Sequence, residues 1–358
     1  MTHMRFFAWL FLFSAVTACI SSHKESDSRT SEATPRLVVT ARSALLREQA
    51  GQDSRVLQTL AKGDALFALP EVSSFTTPLK LQGKAYNEPW LSVRTAGGVK
   101  GWIYASDVQL DSPDEKAARR FLLECRLQSL AGPAFKTQLA QYRQKYAAIA
   151  SADDFAAAFR LGRNHADSLV SVLSGMTTPT TDLFWLGELF PGYAPQLVAE
   201  GTAYYLFEDY RQWLQKAGQT PESDDDELTL LFISAFPDDS IAYFFPAWTI
   251  QTADYTGHSL LGRGKHLQML QHAQQLLNRS RRFEPEILQL KTDLLNDITQ
   301  AGVTYWESRD KIIAEVDNIL TANLNLLTPA DKIALQTRRS HLENPETYGI
   351  QVNQQAGF

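Results

Sequence analysis

The side chains best suited to chemistry are sparse in this chain, and few of them fall at reactive spacings. Of seven histidines, three lie close together, His258, His266 and His272. None pairs with another at the i, i+4 spacing that sets two ligands on one helix face, and no H-E-x-x-H occurs. Neither a metal nor any other cofactor is therefore expected. Cys125 sits in Phe121-Leu122-Leu123-Glu124-Cys125-Arg126. A nucleophilic cysteine needs an exposed thiolate beside a base, whereas a thiol in mid-helix among leucines reads as a small buried apolar group. Ser308-Arg309-Asp310-Lys311 matches Ser-x-x-Lys without the companion Lys-Thr-Gly. Gly262-Arg263-Gly264-Lys265 lacks the spacing of a phosphate loop. Glu307 is the least weak acid candidate, since a glutamate becomes a general acid when a desolvated pocket raises its pKa. Glu188, Glu200 and Glu208 carry the same requirement. No catalytic residue is assigned.

Binding chemistry is better marked. Trp90-Leu91-Ser92-Val93-Arg94 and Lys100-Gly101-Trp102-Ile103-Tyr104 are alternating runs with Gly97-Gly98 between them, a hairpin signature. At a period of two, Leu91, Val93 and Ile103 share one face while Trp90, Trp102 and Tyr104 share the other. With the aliphatic face inside, those three form an exposed aromatic strip with Tyr86 nearby. Such a strip stacks on a sugar ring or holds a peptide. The alternative is that the tryptophans are core or pack against the rest of the chain. Tyr86, Trp90, Trp102 and Tyr104 are thus the candidate ligand-binding residues.

The elements that must position these groups fall into two kinds. Residues 37–110 read as short strands: Leu37-Val38-Val39, Ser43 to Arg47, Val56 to Leu60, a Lys62-Gly63-Asp64 turn, and the alternating runs above. Several short strands of this kind predict a small barrel. Residues 70–89, with Pro70, Pro78, Gly83 and Pro89, are either an extra hairpin or a loop. Near residue 112 the period changes to about 3.6. Ser112 as N-cap, Pro113 at the first helical position and Glu115 three residues on form a capping box. Ile287, Leu290, Leu294, Ile298 and Ala301 follow one helical stripe, and Ile312, Val316, Ile319 and Leu327 another. Further starts fall at Ser151 with Asp154, at Thr220-Pro221, and at Thr328-Pro329 with Asp331. About ten helices and no strand are expected after residue 112. The fold class is therefore a multidomain chain, a small all-β barrel followed by a mostly α-helical bundle or array. Sixteen aromatic side chains crowd residues 184–255, among them Tyr204, Tyr205, Phe207 and Tyr210, which cannot all share one stripe. The acidic run Asp224-Asp225-Asp226-Glu227 reads as charge at a helix's positive end.

The N-terminus is a third kind of segment. Residues 1–5 carry one basic and no acidic side chain, and residues 6–16 are an apolar run too short to span a bilayer. It ends in Val16-Thr17-Ala18-Cys19, which resembles the lipobox of bacterial lipoprotein signals. That resemblance implies cleavage after residue 18 and an acylated Cys19 as the first mature residue, anchored by two or more chains. Ile20 in place of aspartate implies, by the same family's rule, the periplasmic face of the outer membrane. Residues 19–36 lack large apolar side chains from Ser21 onward and form a flexible tether with a reach of roughly 20 Å. With Cys19 acylated, Cys125 has no intrachain partner, and the fold stands on its core alone.

Residues 37–111 resemble the bacterial SH3-type (SH3b) domain. The matching stretches are Ala44-Leu45-Leu46-Arg47, Ser54-Arg55-Val56-Leu57 with Leu60-Ala61-Lys62-Gly63-Asp64, Trp90 to Arg94, and Gly101-Trp102-Ile103. The resemblance implies a module that binds cell-wall peptides or targets a neighbouring domain. Residues 70–89 depart from the family's pattern. Residues 112–345 form the all-α domain and 346–358 a tail.

A net charge of −6 excludes a nucleic-acid binder, which needs a basic footprint. The expected function is a non-enzymatic, envelope-anchored lipoprotein whose SH3-like module binds peptidoglycan or an envelope protein. The second expectation is a wall hydrolase or transglycosylase with its site in the helical part. Glu307-Ser308 is similar to the glutamate-serine pair of lysozyme-like transglycosylases, without the glycine-rich segment that follows it there.

Overall fold

A computed structural model of the chain describes residues 34–81, 83–175, 182–198, 203–220, 235, 246–251, 257–279 and 281–355. The apolar leader, Cys19, the tether up to residue 33, Glu200, the Asp224–Glu227 run and part of the aromatic middle lie outside them.

Seven strands come first: β1 (Arg36–Val39), β2 (Ser43–Arg47), β3 (Val56–Ala61), β4 (Ala65–Leu81), β5 (Lys84–Thr95), β6 (Lys100–Tyr104) and β7 (Val108–Leu110). They form one antiparallel sheet in the order β3-β2-β6-β5-β4-β1-β7. Alternation decides which side chains go in. Leu37, Val39, Ala44, Leu46, Leu91, Val93 and Ile103 meet in one apolar core. Gly101 belongs there for want of space: a Cβ on it would lie 2.6 Å from the Arg47 carbonyl oxygen. Residues 70–89 are a hairpin. β4 and β5 run on past the sheet as a two-stranded arm, from Thr76↔Pro89 to Leu81↔Lys84, and Gly83 turns it with φ +83°.

Helix α1 (Glu115–Ala147) follows. Its N-cap is Asp114, whose side chain accepts from the Lys116 N–H at 2.9 Å. The expected Ser112 cap is thus displaced by two residues, and Ser112 Oγ instead accepts from the Asp114 N–H. Gly132, at φ +84°, and Pro133 break the regular turn inside α1, where proline removes a donor. Phe121, Leu122 and Cys125 pack into the sheet's core, so the first turns of α1 close the β layer. The helix lies against β4, β5 and β7.

Beyond it come α2 (Ala152–Ser174), a single turn α3 (Leu186–Leu189), α4 (Tyr210–Ala217), α5 (Lys265–Arg279), α6 (Glu284–Thr299), α7 (Arg309–Thr321) and α8 (Pro329–His341). Reciprocal capping boxes open α2 (Ser151/Asp154) and α8 (Thr328/Asp331). Ile287, Leu290, Leu294 and Ile298 of α6 and Ile312, Val316 and Ile319 of α7 are buried in one large apolar cluster. Ala301 and Leu327 fall beyond the ends of those helices.

The helical part is not free of strands, which corrects the expectation of an all-α region. Two hairpins interrupt it: β8 (Tyr193–Val198) with β9 (Ala203–Glu208), and β10 (Thr249–Gln251) with β11 (Gly257–Ser259). The reason is the period of two along β9, where Tyr204 and Leu206 turn inward while Tyr205 and Phe207 pair their rings 4.7 Å apart on the other face. The whole is mixed α/β. Of the C-terminal residues, Gln351 and Asn353 are tied to the strand-like stretch before α7: Tyr305 N–H donates to the Gln351 carbonyl and Asn353 N–H to that of Glu307. Among the described residues no helix is long and apolar enough to cross a membrane.

Candidate functional site

The long β4–β5 arm and α1 face each other across a cleft of ≈780 Å³, closed at its third side by residues 182–185. Cavities of this size belong to the range that takes small ligands. The arm contributes Phe75, Tyr86 and the Lys84 chain, α1 contributes Arg126 and Ser129, and the third side brings Trp185. Phe75 is 47% exposed although its ring is large and apolar, and Tyr86 is half-buried with the Lys84 ammonium 5.2 Å from its ring centre.

What holds the arm over the helix is polar. Arg126 donates from Nε and Nη2 to both carboxylate oxygens of Glu88, a bidentate pair spanning sheet and helix. Glu88 keeps 10% of its side-chain surface and Arg126 33%. Gln128 Nε2 donates to the Pro70 carbonyl at 2.7 Å, a second tie between α1 and the base of the arm.

Trp90 and Tyr104 lie beneath this arm and not on an exposed strip. Each is 2% exposed, with ring centres 5.3 Å apart. Trp90 Nε1 donates to Thr77 Oγ1 at 2.8 Å, and the Tyr104 hydroxyl donates to the Thr77 carbonyl while accepting from the Glu88 N–H at 3.0 Å. Burial pushes the Tyr104 phenol up to about 12. The physical reason is the arm itself, which covers the aromatic face that a shorter β4–β5 connection would leave open. Trp102 is half-buried on β6, opposite Arg47 of β2 and away from the cleft. Of the four sequence candidates, the cleft therefore gathers Tyr86 alone into its lining, with Trp90 and Tyr104 as struts behind it. Phe75, Glu88, Arg126 and Trp185 were not marked by spacing. The Glu88–Arg126 pair joins residues 38 apart in sequence, with no local pattern to announce it.

The other chemical candidates are held elsewhere. Cys125 is buried, and burial pushes its thiol up to about 12. Glu188 pairs with Arg119 at 2.6 Å and Glu208 with Arg163 at 2.8 Å. Glu307 is 3% exposed, and Lys311 Nζ and Arg263 Nε each donate to its carboxylate at 2.7 Å. Those hydrogen bonds, Lys311 first, hold its carboxyl below the ordinary range. A general acid at neutral pH needs the opposite shift.

Near it lies a buried polar knot of structural character. Glu315 accepts from the N–H groups of Gly262, Gly264 and Leu267 at 2.5, 2.8 and 3.2 Å, filling the loop before α5 with a carboxylate from α7. A phosphate has no room in a loop whose donors are already taken. His266, fully buried, lies with Nε2 2.7 Å from Asp297 Oδ2, to which Ser259 Oγ also donates. Asp297 is central here, so no hydroxyl is poised on an imidazole as nucleophilic catalysis requires. Among the described residues, no three His, Cys, Asp or Glu side chains are arranged to hold a metal ion.

No protein-family model, curated protein or solved structure matches this chain.

Proposed function

We propose that this is a non-enzymatic binding protein of a bacterial cell envelope, tethered by a lipid on Cys19, that holds cell-wall material in the cleft between the β4–β5 arm and α1. In this reading residues 37–111 are an SH3-like module, and the arm at residues 70–89 is the elaboration that moves its ligand site against the helical part. The observation that supports it best is the cleft itself. It joins partly exposed aromatic rings to an ion pair that neutralises its two best-placed charges. Such a lining suits recognition of a ligand, and its most enclosed carboxylate, Glu88, is engaged by Arg126 and so is not available as an acid or base. The locked carboxylate of Glu307 weighs against the hydrolase alternative.

The test has two arms. Processed protein purified in detergent is spun with insoluble cell-wall sacculi, and it should pellet with them. Tyr86→Ala should shift it to the supernatant. A Cys19→Ser chain should leave the membrane fraction and lose its acyl mass. A wild-type protein that stays in the supernatant removes the wall-binding reading, and an unmodified sulfur at residue 19 removes the tether.

A further inference from the structure

Resting on the reading above, we infer that the cleft takes the saccharide of its ligand, a neutral chain of hydroxyl-bearing rings, and not a peptide. Three observations converge on this. The first is charge. The ionisable groups lining the cleft are Lys84, Glu88, Arg126 and Asp182, two of each sign. Glu88 and Arg126 close on each other in a bidentate pair, and the Lys84 ammonium sits by the Tyr86 ring. Asp182, the fourth, accepts from the Phe184 N–H at 2.9 Å at the cleft's third side. A charged peptide lying along the arm and α1 would have to compete with the first three partners. A neutral ligand does not, and it still finds donors, because a guanidinium has five N–H groups and the pair with Glu88 engages Nε and Nη2.

The second observation is the arm's backbone. A peptide adding as a further strand needs a row of free donors along an edge. Pro78 and Pro89 have no N–H, and that of Glu88 is given to the Tyr104 hydroxyl. Proline and diverted donors are how sheets close an edge to added strands. The third is the lining. Phe75 and Tyr86 offer rings that are partly open to solvent, next to the hydroxyl and amide side chains of Ser74, Thr76, Asn87 and Ser129. A sugar ring presents one apolar face of C–H groups and a rim of hydroxyls. Aromatic planes bordered by short polar side chains match both. An apolar peptide side chain would leave the polar rim unused.

The experiment uses the processed full-length protein in detergent micelles. Calorimetry and tryptophan emission follow its titration with a β-linked N-acetylglucosamine oligomer, with stem peptide purified from cell wall, and with intact sacculi. The oligomer should bind saturably. Phe75→Ala and Tyr86→Ala should each weaken it by about three- to tenfold, with far-UV dichroism unchanged because both rings are partly exposed. Raising salt from about 0.05 to about 0.5 M should alter the dissociation constant by less than about twofold, since no net charge is exchanged. Binding of the stem peptide with the oligomer inert overturns the inference and gives the cleft to a peptide. Oligomer binding that ignores both substitutions overturns it as well. If sacculi pellet the protein while the oligomer does not bind, the saccharide assignment fails and wall binding stands. If sacculi do not pellet it, the proposed function itself fails.

Discussion

Cutting the Glu88–Arg126 pair tests whether it sets the arm against α1. Two limits bracket its strength. An exposed ion pair is worth about 0–1 kcal/mol, and removing one partner of a fully buried pair costs about 3–5 kcal/mol. Glu88 retains 10% of its side-chain surface but Arg126 retains 33%, so the pair falls between the limits and nearer the lower for its arginine end. A truncation such as Arg126→Met should then cost about 2 kcal/mol, most of it from leaving Glu88 buried without its partner. Glu88→Gln removes that charge, so the double variant should be less unstable than the sum of the singles. The expected coupling is about 1.5–2 kcal/mol, read from urea denaturation of the four proteins at neutral pH. Saccharide affinity measured in parallel should fall in both singles, because the arm that carries Phe75 and Tyr86 is no longer clamped. A coupling below about 0.5 kcal/mol would refute the reasoning and place the pair among screened surface contacts.

Three further outcomes follow from particular side chains. Burial pushes the Asp107 carboxyl up to about 6, above the ordinary aspartate range. The folded state then holds the proton more tightly than the unfolded one, so stability falls as pH rises from about 4 to 6. Allowing for its partial exposure, Asp107→Asn should gain about 1 kcal/mol at pH 7 and nothing below pH ~3.5, by urea denaturation at both pH values. Cys125, buried with its thiol pushed up, should resist iodoacetamide in the native protein and react only in denaturant, read at that residue by peptide mass spectrometry. Gly101→Ala should destabilise by about 1–3 kcal/mol, since its Cβ would meet the Arg47 carbonyl at 2.6 Å and Leu46 Cγ at 2.9 Å. An unchanged urea midpoint would mean that β2 and β6 can separate without penalty.

What could be read in the sequence was what short range decides. The boxes at Ser151/Asp154 and Thr328/Asp331 close within three residues, and the stripe Ile287, Leu290, Leu294, Ile298 needs only a period. Gly97-Gly98 marks the β5–β6 turn, where Gly98 has φ +88°. Ser112 misled because Asp114, two residues on, is an equally good cap and lies closer to the first helical residue. The hairpins within the helical part were hidden by aromatics, which suit a buried strand and a buried helix face alike. The cleft was the least legible part. The period of two places Trp90 and Tyr104 on the face opposite to Leu91 and Ile103, as in the structure, yet what covers that face comes from 13 and 27 residues away, at Thr77. No periodicity carries a contact of that separation.

The account depends most on the arm and α1 being the place where wall material binds. Hydrogen–deuterium exchange of the processed protein, with and without soluble fragments released from cell wall, reads this directly. The account predicts slowed exchange within residues 74–78 and 84–88 of the arm and within 126–130 of α1. Protection that leaves those stretches unchanged and falls elsewhere, for instance at the loop 262–267 that Glu315 fills, would contradict it.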